Sequence, residues 1–533
     1  MKAIFKPYDR HDGPGCAVAV ISSGRVIFTK GYGMANLEYD IPITPTTIFD
    51  IASVSKQFTG WAISTLIQEG KVSPDDEIHK YLPDLPSFGT PITIRHLLHH
   101  ISGIRDWPQT LNAAGWRWDE VFSFTDIMRM VKYQKDLDFP PGTRYSYSNT
   151  AYNLLAAIIE KVTGKSFRDW TDQRIFGPLG MPSSHFLDDP DRIIRNLAYS
   201  YTPGDAGFRK DPDALTAYGS SSLFTSVDDL CKWVIHFQEA VRTKDPVVTR
   251  MLDDGILNDG TMVHYGYGLG LGEDRGLKNI SHTGGWAGYR TIISNYPDQD
   301  LSIIILSNAS DFDPTAYAAR VADLFLAGKF APTTTNGTEN LQALPTVTVS
   351  PQLLAKYAGT YQLGPGWAVT LTVENNGLMT QANGEDKFPM EAKSDSVFWI
   401  RAYGSSMTFV KGPDGKVDSL HYRSIHANKI TPWHPRPGQL TEYFGTYYSE
   451  ELATDYTIDT AGGHGQLMMH QRRLGDIALT PDPTAPDQFD NSIGIFLFVR
   501  DGQHGVTGFR LSGGRVKNLR FDKITRTPIF TGH

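Results

Sequence analysis

Leu354-Ala355-Lys356-Tyr357-Ala358-Gly359-Thr360-Tyr361 returns further along the chain as Leu440-Thr441-Glu442-Tyr443-Phe444-Gly445-Thr446-Tyr447. A motif of the form Leu-x-x-Tyr-x-Gly-Thr-Tyr, met twice, marks the heads of two similar units. Each head is followed by short β-like runs and frequent turns, such as Asn375-Asn376-Gly377 and Pro413-Asp414-Gly415. That is the pattern of antiparallel strands joined by hairpins, and two small β-barrels or sandwiches fit it. Pro432 to Gly438 forms the joint between them, and Ala331 to Thr338 has the Pro/Thr/Asn/Gly composition of a linker. The chain therefore divides into residues 1–330, a linker over 331–345, a first barrel over 346–432 and a second over 433–533.

Composition narrows the function classes. A chain of 533 residues is too long for one ordinary core. Apolar content of 40% and charged content of 20% are those of a globular protein in water. Net charge is −8 and no Lys/Arg run is present, which argues against nucleic acid as a partner. The two cysteines, Cys16 and Cys231, lie in apolar runs and read as small buried thiols, not as a disulfide framework. No run approaches the ~18–20 apolar residues of a membrane span. Met1 to Asp12 lacks the apolar core of a signal peptide, so the chain as it stands reads as cytoplasmic. The first strand follows at once, however, and a removed leader would make the protein periplasmic or secreted; the compartment stays open.

In the first 330 residues strands lie at both ends. Cys16 to Ile21 and Arg25 to Thr29 read as a hairpin, and Tyr289 to Tyr296 and Leu301 to Asn308 as further strands. Tyr265 to Leu271 reads as a strand whose glycines permit close backbone approach, and a helix is expected from Pro314 to Leu326. Helical patterns fill the middle, which is an α+β arrangement with an inserted helical region. Within it, Ser53-Val54-Ser55-Lys56 opens a segment that continues with helical spacing through Trp61, Ile63, Leu66 and Ile67. If Ser53 begins that helix, Lys56 lies one turn on, on the same face. A serine hydroxyl needs a neighbour to take its proton, and a desolvated lysine can do so. Alone the pattern is weak: a chain this long holds about one or two such tetrads by chance, and a solvated helix start is the plainer account.

Pro140-Pro141-Gly142 forces a turn before Tyr147-Ser148-Asn149, and a helix runs from near Asn149 to Gly164. Tyr147 and Asn149, two apart before a helix, can project into one cleft; an ordinary capping Asn and a packed Tyr are the alternative. His96, His99 and His100 have metal-like spacing on a helix that Gly103 should stop. No Cys or carboxylate cluster accompanies them, so they read as helix-end histidines and no metal site is expected. Trp107, Trp116 and Trp118 either line a pocket or anchor a long excursion. His282-Thr283-Gly284-Gly285 precedes the last strands of this unit.

Ser53-x-x-Lys56, Tyr147-Ser148-Asn149 and His282-Thr283-Gly284, in that order and in those contexts, resemble the serine penicillin-recognising enzymes: class C β-lactamases, DD-peptidases, family VIII esterases and D-aminopeptidases. The resemblance covers about residues 14–330. It implies a β-lactamase/transpeptidase-like domain, an antiparallel sheet flanked by helices with a helical subdomain. It also implies roles: Ser53 as the nucleophile of an acyl-enzyme, Lys56 and Tyr147 exchanging its proton, and Asn149 holding substrate and Lys56. The backbone N–H groups of Ser53 and Gly285 would form the oxyanion hole, beside Thr283 and Gly284. Which of Lys56 and Tyr147 takes the proton is left open. β-Lactamases and DD-peptidases usually carry Lys-Thr-Gly at the third motif. His282 stands in place of that Lys, which favours the D-aminopeptidase and esterase branches.

A catalytic domain followed by two lipocalin-like barrels resembles the three-domain D-aminopeptidases. In those a loop of the last barrel reaches the active site; Asp459 to Gly465 is the counterpart here or simply a barrel hairpin. The expected function is a serine hydrolase of small amides or short peptides that uses no cofactor, most like a D-aminopeptidase; the alternatives are a broad family VIII-type esterase of the same fold with weak β-lactam hydrolysis, or a β-lactam-binding protein. A binding protein with a relic site is the reading from another class, and the intact Ser53, Lys56, Tyr147 and Asn149 argue against it. The expected partner is a small-molecule or short-peptide substrate, with a homodimer admitted.

Overall fold

The computed structural model describes residues 1–331, 341, 344–364, 366–383, 385–412, 415–462 and 465–524. It contains two compact units, one made of Met1–Asn112 with Trp116–Thr333, the other of Ala113–Gly115 with Thr334–His533.

The first unit is built on an antiparallel sheet. Its strands are β1 (Cys16–Ser22), β2 (Arg25–Tyr32), and, after a short β3 (Ile48–Asp50) and β4 (Leu223–Ser226) that pair elsewhere, β5 (Gly270–Asp274), β6 (Leu277–Trp286), β7 (Tyr289–Tyr296) and β8 (Leu301–Ser307). Their spatial order is β5-β6-β7-β8-β1-β2, so the two ends of the unit's sequence meet where β1 pairs with β8. From Cys16 to Ile21 β1 is apolar and buried because both of its faces are covered. Ala17, Ala19 and Ile21 enter the large core, while Cys16, Val18 and Val20 enter a second core on the opposite face. Both cysteines are free and buried.

Helices α1 (Lys56–Gln68), α2 (Ile94–Leu98), α3 (Asn149–Thr163) and α4 (Val227–Thr243) supply the large core, and α5 (Pro314–Phe325) covers the other face. Ser226 caps α4 by accepting the Asp229 N–H at 3.2 Å.

Four local expectations are corrected. Ser53 does not open an α-helix: Ala52–Ser55 is a 3₁₀ turn and α1 begins at Lys56. The helix of the three histidines ends at Leu98, not at Gly103, because His100 takes a left-handed φ of 59°. Tyr265 to Leu269 is a turn and not a strand; the Gly266 N–H donates to the Leu269 carbonyl, and β5 starts only at Gly270. Ser148, not Asn149, caps α3, by accepting the Ala151 N–H at 3.2 Å.

The second unit holds two closed, antiparallel, eight-stranded barrels whose strands follow one another in sequence order. One runs from Gly359–Gly364 to Ile425–Ile430, the other from Gly445–Ser449 to Val516–Ile524. The repeated motif is the same device in each. Tyr361 donates from its hydroxyl to the Tyr357 carbonyl at 2.8 Å, and Tyr447 to the Tyr443 carbonyl at 2.7 Å. The two tyrosines thus tie the short entry helix of each barrel to its first strand, and both hydroxyl–carbonyl bonds are buried. Asn375 and Asn376 have the positive φ values, 50° and 61°, of a tight hairpin. Pro413, Asp414, Gly463, His464 and Pro332–Thr338 lie outside the described residues.

Candidate active site

The centre of the site is Lys56, at the first position of α1 and fully buried. Its Nζ stands 3.2 Å from Ser53 Oγ, 2.8 Å from Asn149 Oδ1 and 2.7 Å from the Ser220 carbonyl. Asn149 Oδ1 and the Ser220 carbonyl only accept, so each requires an N–H from Lys56. The position facing Ser53 donates if the group is an ammonium and takes the hydroxyl proton if it is an amine. The geometry is that of a proton relay in either state. The Tyr147 ring lies over the same nitrogen, its centroid 4.8 Å away.

Asn149 is itself held. Its backbone N–H donates to Asp106 Oδ1 at 2.7 Å and its side-chain amide to Asp106 Oδ2 at 3.3 Å, which fixes Oδ1 toward Lys56. Asp106 is buried, so Lys56 and an acidic side chain are joined inside the protein through one amide. Sequence reading missed Asp106 and the Ser220 carbonyl, since only the fold brings them to Lys56.

The three histidines do not converge on a metal. His96 Nδ1 accepts the Thr93 N–H, His99 bonds the Tyr265 carbonyl at 2.8 Å, and His100 Nδ1 accepts the Ser148 N–H at 3.1 Å. Among the described residues no group of His, Cys, Asp or Glu fits a metal ion. His100 also packs its ring 4.3 Å from that of Tyr147 and so helps to hold the tyrosine in place.

His282 and Gly284 are the buried members of their end of β6, Thr283 and Gly285 the exposed ones. His282 is neutral. Burial, aided by the charge of Lys56, pushes its pKa down to about 3. Its Nδ1 lies 2.7 Å from the Thr283 carbonyl and must carry the hydrogen, so Nε2 accepts from the Tyr265 hydroxyl at 2.8 Å. Tyr265 stays a phenol because burial raises its pKa far above the usual value.

Gly284 allows β6 to lie against the turn that carries Ser53. A Cβ there would stand 2.2 Å from the Ile51 carbonyl oxygen and 2.3 Å from Thr291 Oγ1. That hydroxyl in turn caps the Ile51 carbonyl at 2.8 Å. Pairing of β5 with β6 ends at Gly270 opposite Ser281, so among the described residues His282–Trp286 have no strand on that edge. Trp107 and Trp118 gather on Trp286, at ring separations of 5.6 and 6.4 Å, and form an aromatic wall beyond Gly285.

The Ser–Lys–Asn network around the buried Lys56, with an open strand edge beside it, defines a serine hydrolase of the penicillin-recognising type. Comparison with known proteins agrees. The β-lactamase family model matches residues 1–327, and the chain belongs to that family. A second model, a domain of unknown function (DUF3471), matches residues 344–433. The chain is 28% identical to penicillin-binding protein 4* of Bacillus subtilis over 78% of its own length and 94% of that protein's. It is 27% identical to the D-aminopeptidase of Gluconobacter oxydans over 97% of both chains. Among solved structures, the octameric penicillin-binding protein homologue of Pyrococcus abyssi superposes with a TM-score of 0.55 at 26% identity, over 78% of this chain and 95% of that one.

Proposed function

We propose that the protein hydrolyses small amides or short peptides that carry a free amino terminus, in the manner of a D-aminopeptidase, through an acyl-enzyme on Ser53. The single observation that carries this reading is the contact of Lys56 Nζ with Ser53 Oγ, Asn149 Oδ1 and the Ser220 carbonyl. Lys56 and Tyr147 pass the serine proton to the leaving nitrogen, and the Ser53 and Gly285 N–H groups hold the oxyanion. Asn149 and the open edge of β6, with Thr283 and Gly284, hold the substrate amide.

Two observations support the substrate class. His282 is neutral with both nitrogens engaged, so the third motif offers no cation to a substrate carboxylate. The Gluconobacter oxydans D-aminopeptidase also aligns along nearly the whole chain, barrels included. The proposed boundaries are 1–330 for the hydrolase, 331–345 for the linker, and 346–432 and 433–533 for the barrels; proteolysis confined to 331–345 would support them. We carry a homodimer as the assembly to be tested by light scattering.

The deciding experiment is turnover of D- and L-aminoacyl p-nitroanilides and p-nitrophenyl esters, with Ser53→Ala as control. Faster turnover of the D-aminoacyl amides, abolished in the variant, is expected. Ester turnover alone would move the protein to the esterase branch, which an uncharged His282 also suits. Activity that survives Ser53→Ala would overturn the assignment.

A further inference from the structure

Beneath the Ser53 turn lie two carboxyls that the reaction scheme does not use. Asp50 ends β3 and is fully buried, and Asp213, half-buried, lies on the segment leading to Leu215 with its Oδ2 turned out of reach of solvent. Asp50 Oδ1 accepts the Ala52 N–H at 2.7 Å, and the same carboxyl receives the Ser222 N–H. Ala52 and Ser222 are both non-glycine residues with left-handed φ, 48° and 62°. One precedes the nucleophile. The other lies just past Ser220, whose carbonyl holds Lys56. Asp213 Oδ1 takes the Leu215 N–H at 3.3 Å.

The second oxygen of each carboxyl, Asp50 Oδ2 and Asp213 Oδ2, is buried and makes no well-formed hydrogen bond among the described residues. The two side chains are within hydrogen-bonding reach of each other. The Trp286 indole N–H is buried there too and faces Asp213. Two facing, buried acceptors cannot both be left as anions, but one proton between them satisfies both.

We propose that Asp50 and Asp213 share one proton across these two oxygens, and that the acid pair positions the Ala52–Ser53 turn against the Gly285–Trp286 end of β6. The proposal rests on the Ser53 reading above, since what it holds in register are the two proposed oxyanion donors. Both acids are positioning residues and neither touches substrate. Burial raises both acids above the ordinary carboxyl range; the charge of Asp213 raises Asp50 further, whereas the hydrogen bond from Asp50 eases Asp213 back, which fits a proton held on the Asp50 side of the pair. The other titratable groups facing the pair are Asp211, itself opposite Arg290, and Tyr289, whose hydroxyl donates to the Ala198 carbonyl at 2.6 Å.

The test separates the proton from the positioning. The folded pair keeps a proton that the unfolded chain has already lost, so it makes stability fall as pH rises. Denaturant unfolding of the full chain between about pH 7 and 8.5, above the histidine range, reads this directly. Asp213→Asn and Asp50→Asn replace the shared proton by an amide N–H that does not titrate. Each should lower the folding-linked proton uptake by about one proton relative to the parent. Unchanged uptake in both variants would overturn the shared proton.

For the positioning role, Asp213→Ala should lower kcat about tenfold or more with KM within about twofold, and Asp213→Asn should recover most of that loss. An unchanged kcat in Asp213→Ala would overturn it. If the alanine variant does not fold, a KM rise instead of a kcat loss in Asp213→Asn and Asp50→Asn overturns it equally. Ser53→Ala, run alongside, tests the catalytic reading itself: activity surviving there would sink that reading and leave the proton count untouched.

Discussion

Lys56 lies in a place where water cannot reach it, and its neighbours explain how its amino group is held there. Asp106 acts on it through Asn149, whose backbone and side-chain N–H groups it accepts. Removing Asp106 frees the Asn149 amide to turn away from Lys56. Asp106→Ala should therefore lower kcat/KM by about a hundredfold and slow fluorophosphonate labelling of Ser53 in proportion. Labelling at the parent rate would show that Asn149 holds its orientation unaided. His282 gives a second prediction at this scale. With its pKa near 3 it stays neutral across the working range, so the kcat/KM profile should show no His282 limb between about pH 5 and 8. Tyr265→Phe removes the donor to His282 Nε2 and should cost about 1–2 kcal/mol of stability, read from denaturant midpoints.

The elements of the site depend on how closely two backbones approach. In Gly284→Ala the new methyl would meet the Ile51 carbonyl, and β6 would have to move off the turn that carries Ser53. A shift of about 1 Å at that point is worth about a hundredfold in rate. We expect kcat to fall by that order while the sheet still forms, seen as a normal circular dichroism spectrum with lost turnover. Element by element, the sequence was legible where the signal is local. The paired motifs marked both barrels, because the Tyr357–Tyr361 and Tyr443–Tyr447 bonds join residues four apart. The order of the Ser53, Tyr147 and His282 motifs pointed to residues of which the fold gathers Ser53, Lys56, Asn149 and Tyr147 around one nitrogen. What stayed hidden depends on tertiary partners. Nothing near Asp106 or Ser220 in sequence indicates Lys56, and Tyr265 to Leu269 has a strand's composition but turns because Gly268, at φ 78°, packs on the Lys56 backbone.

At the scale of the whole molecule, the two units differ in how protons act on them. His99 and His282, in the first unit, have pKa values pushed down by burial to about 4 and about 3; His185, also there and less buried, is pushed down to about 4. The unfolded chain binds a proton at each near pH 6.5, before the folded state does. Their contribution is therefore complete above about pH 6.5 and drains away as pH falls, by at most ~1.4 kcal/mol per pH unit for each fully buried group. The Asp50–Asp213 pair opposes this in the same unit, since its raised pKa values stabilise the folded state at low pH. In the second unit His470 behaves in the opposite sense to the buried histidines. Its ring lies 2.8 Å from Asp476 and 2.9 Å from Asp459, which raises its pKa, and its stabilisation is full at low pH and lost as pH climbs through the raised value. Acid should accordingly separate the two units in calorimetry. Between about pH 7 and pH 4.5 the transition of the first unit should fall further in temperature than that of the barrels, and His282→Gln should narrow the gap. Parallel shifts of both transitions would show that the buried histidines of the first unit do not govern its acid stability.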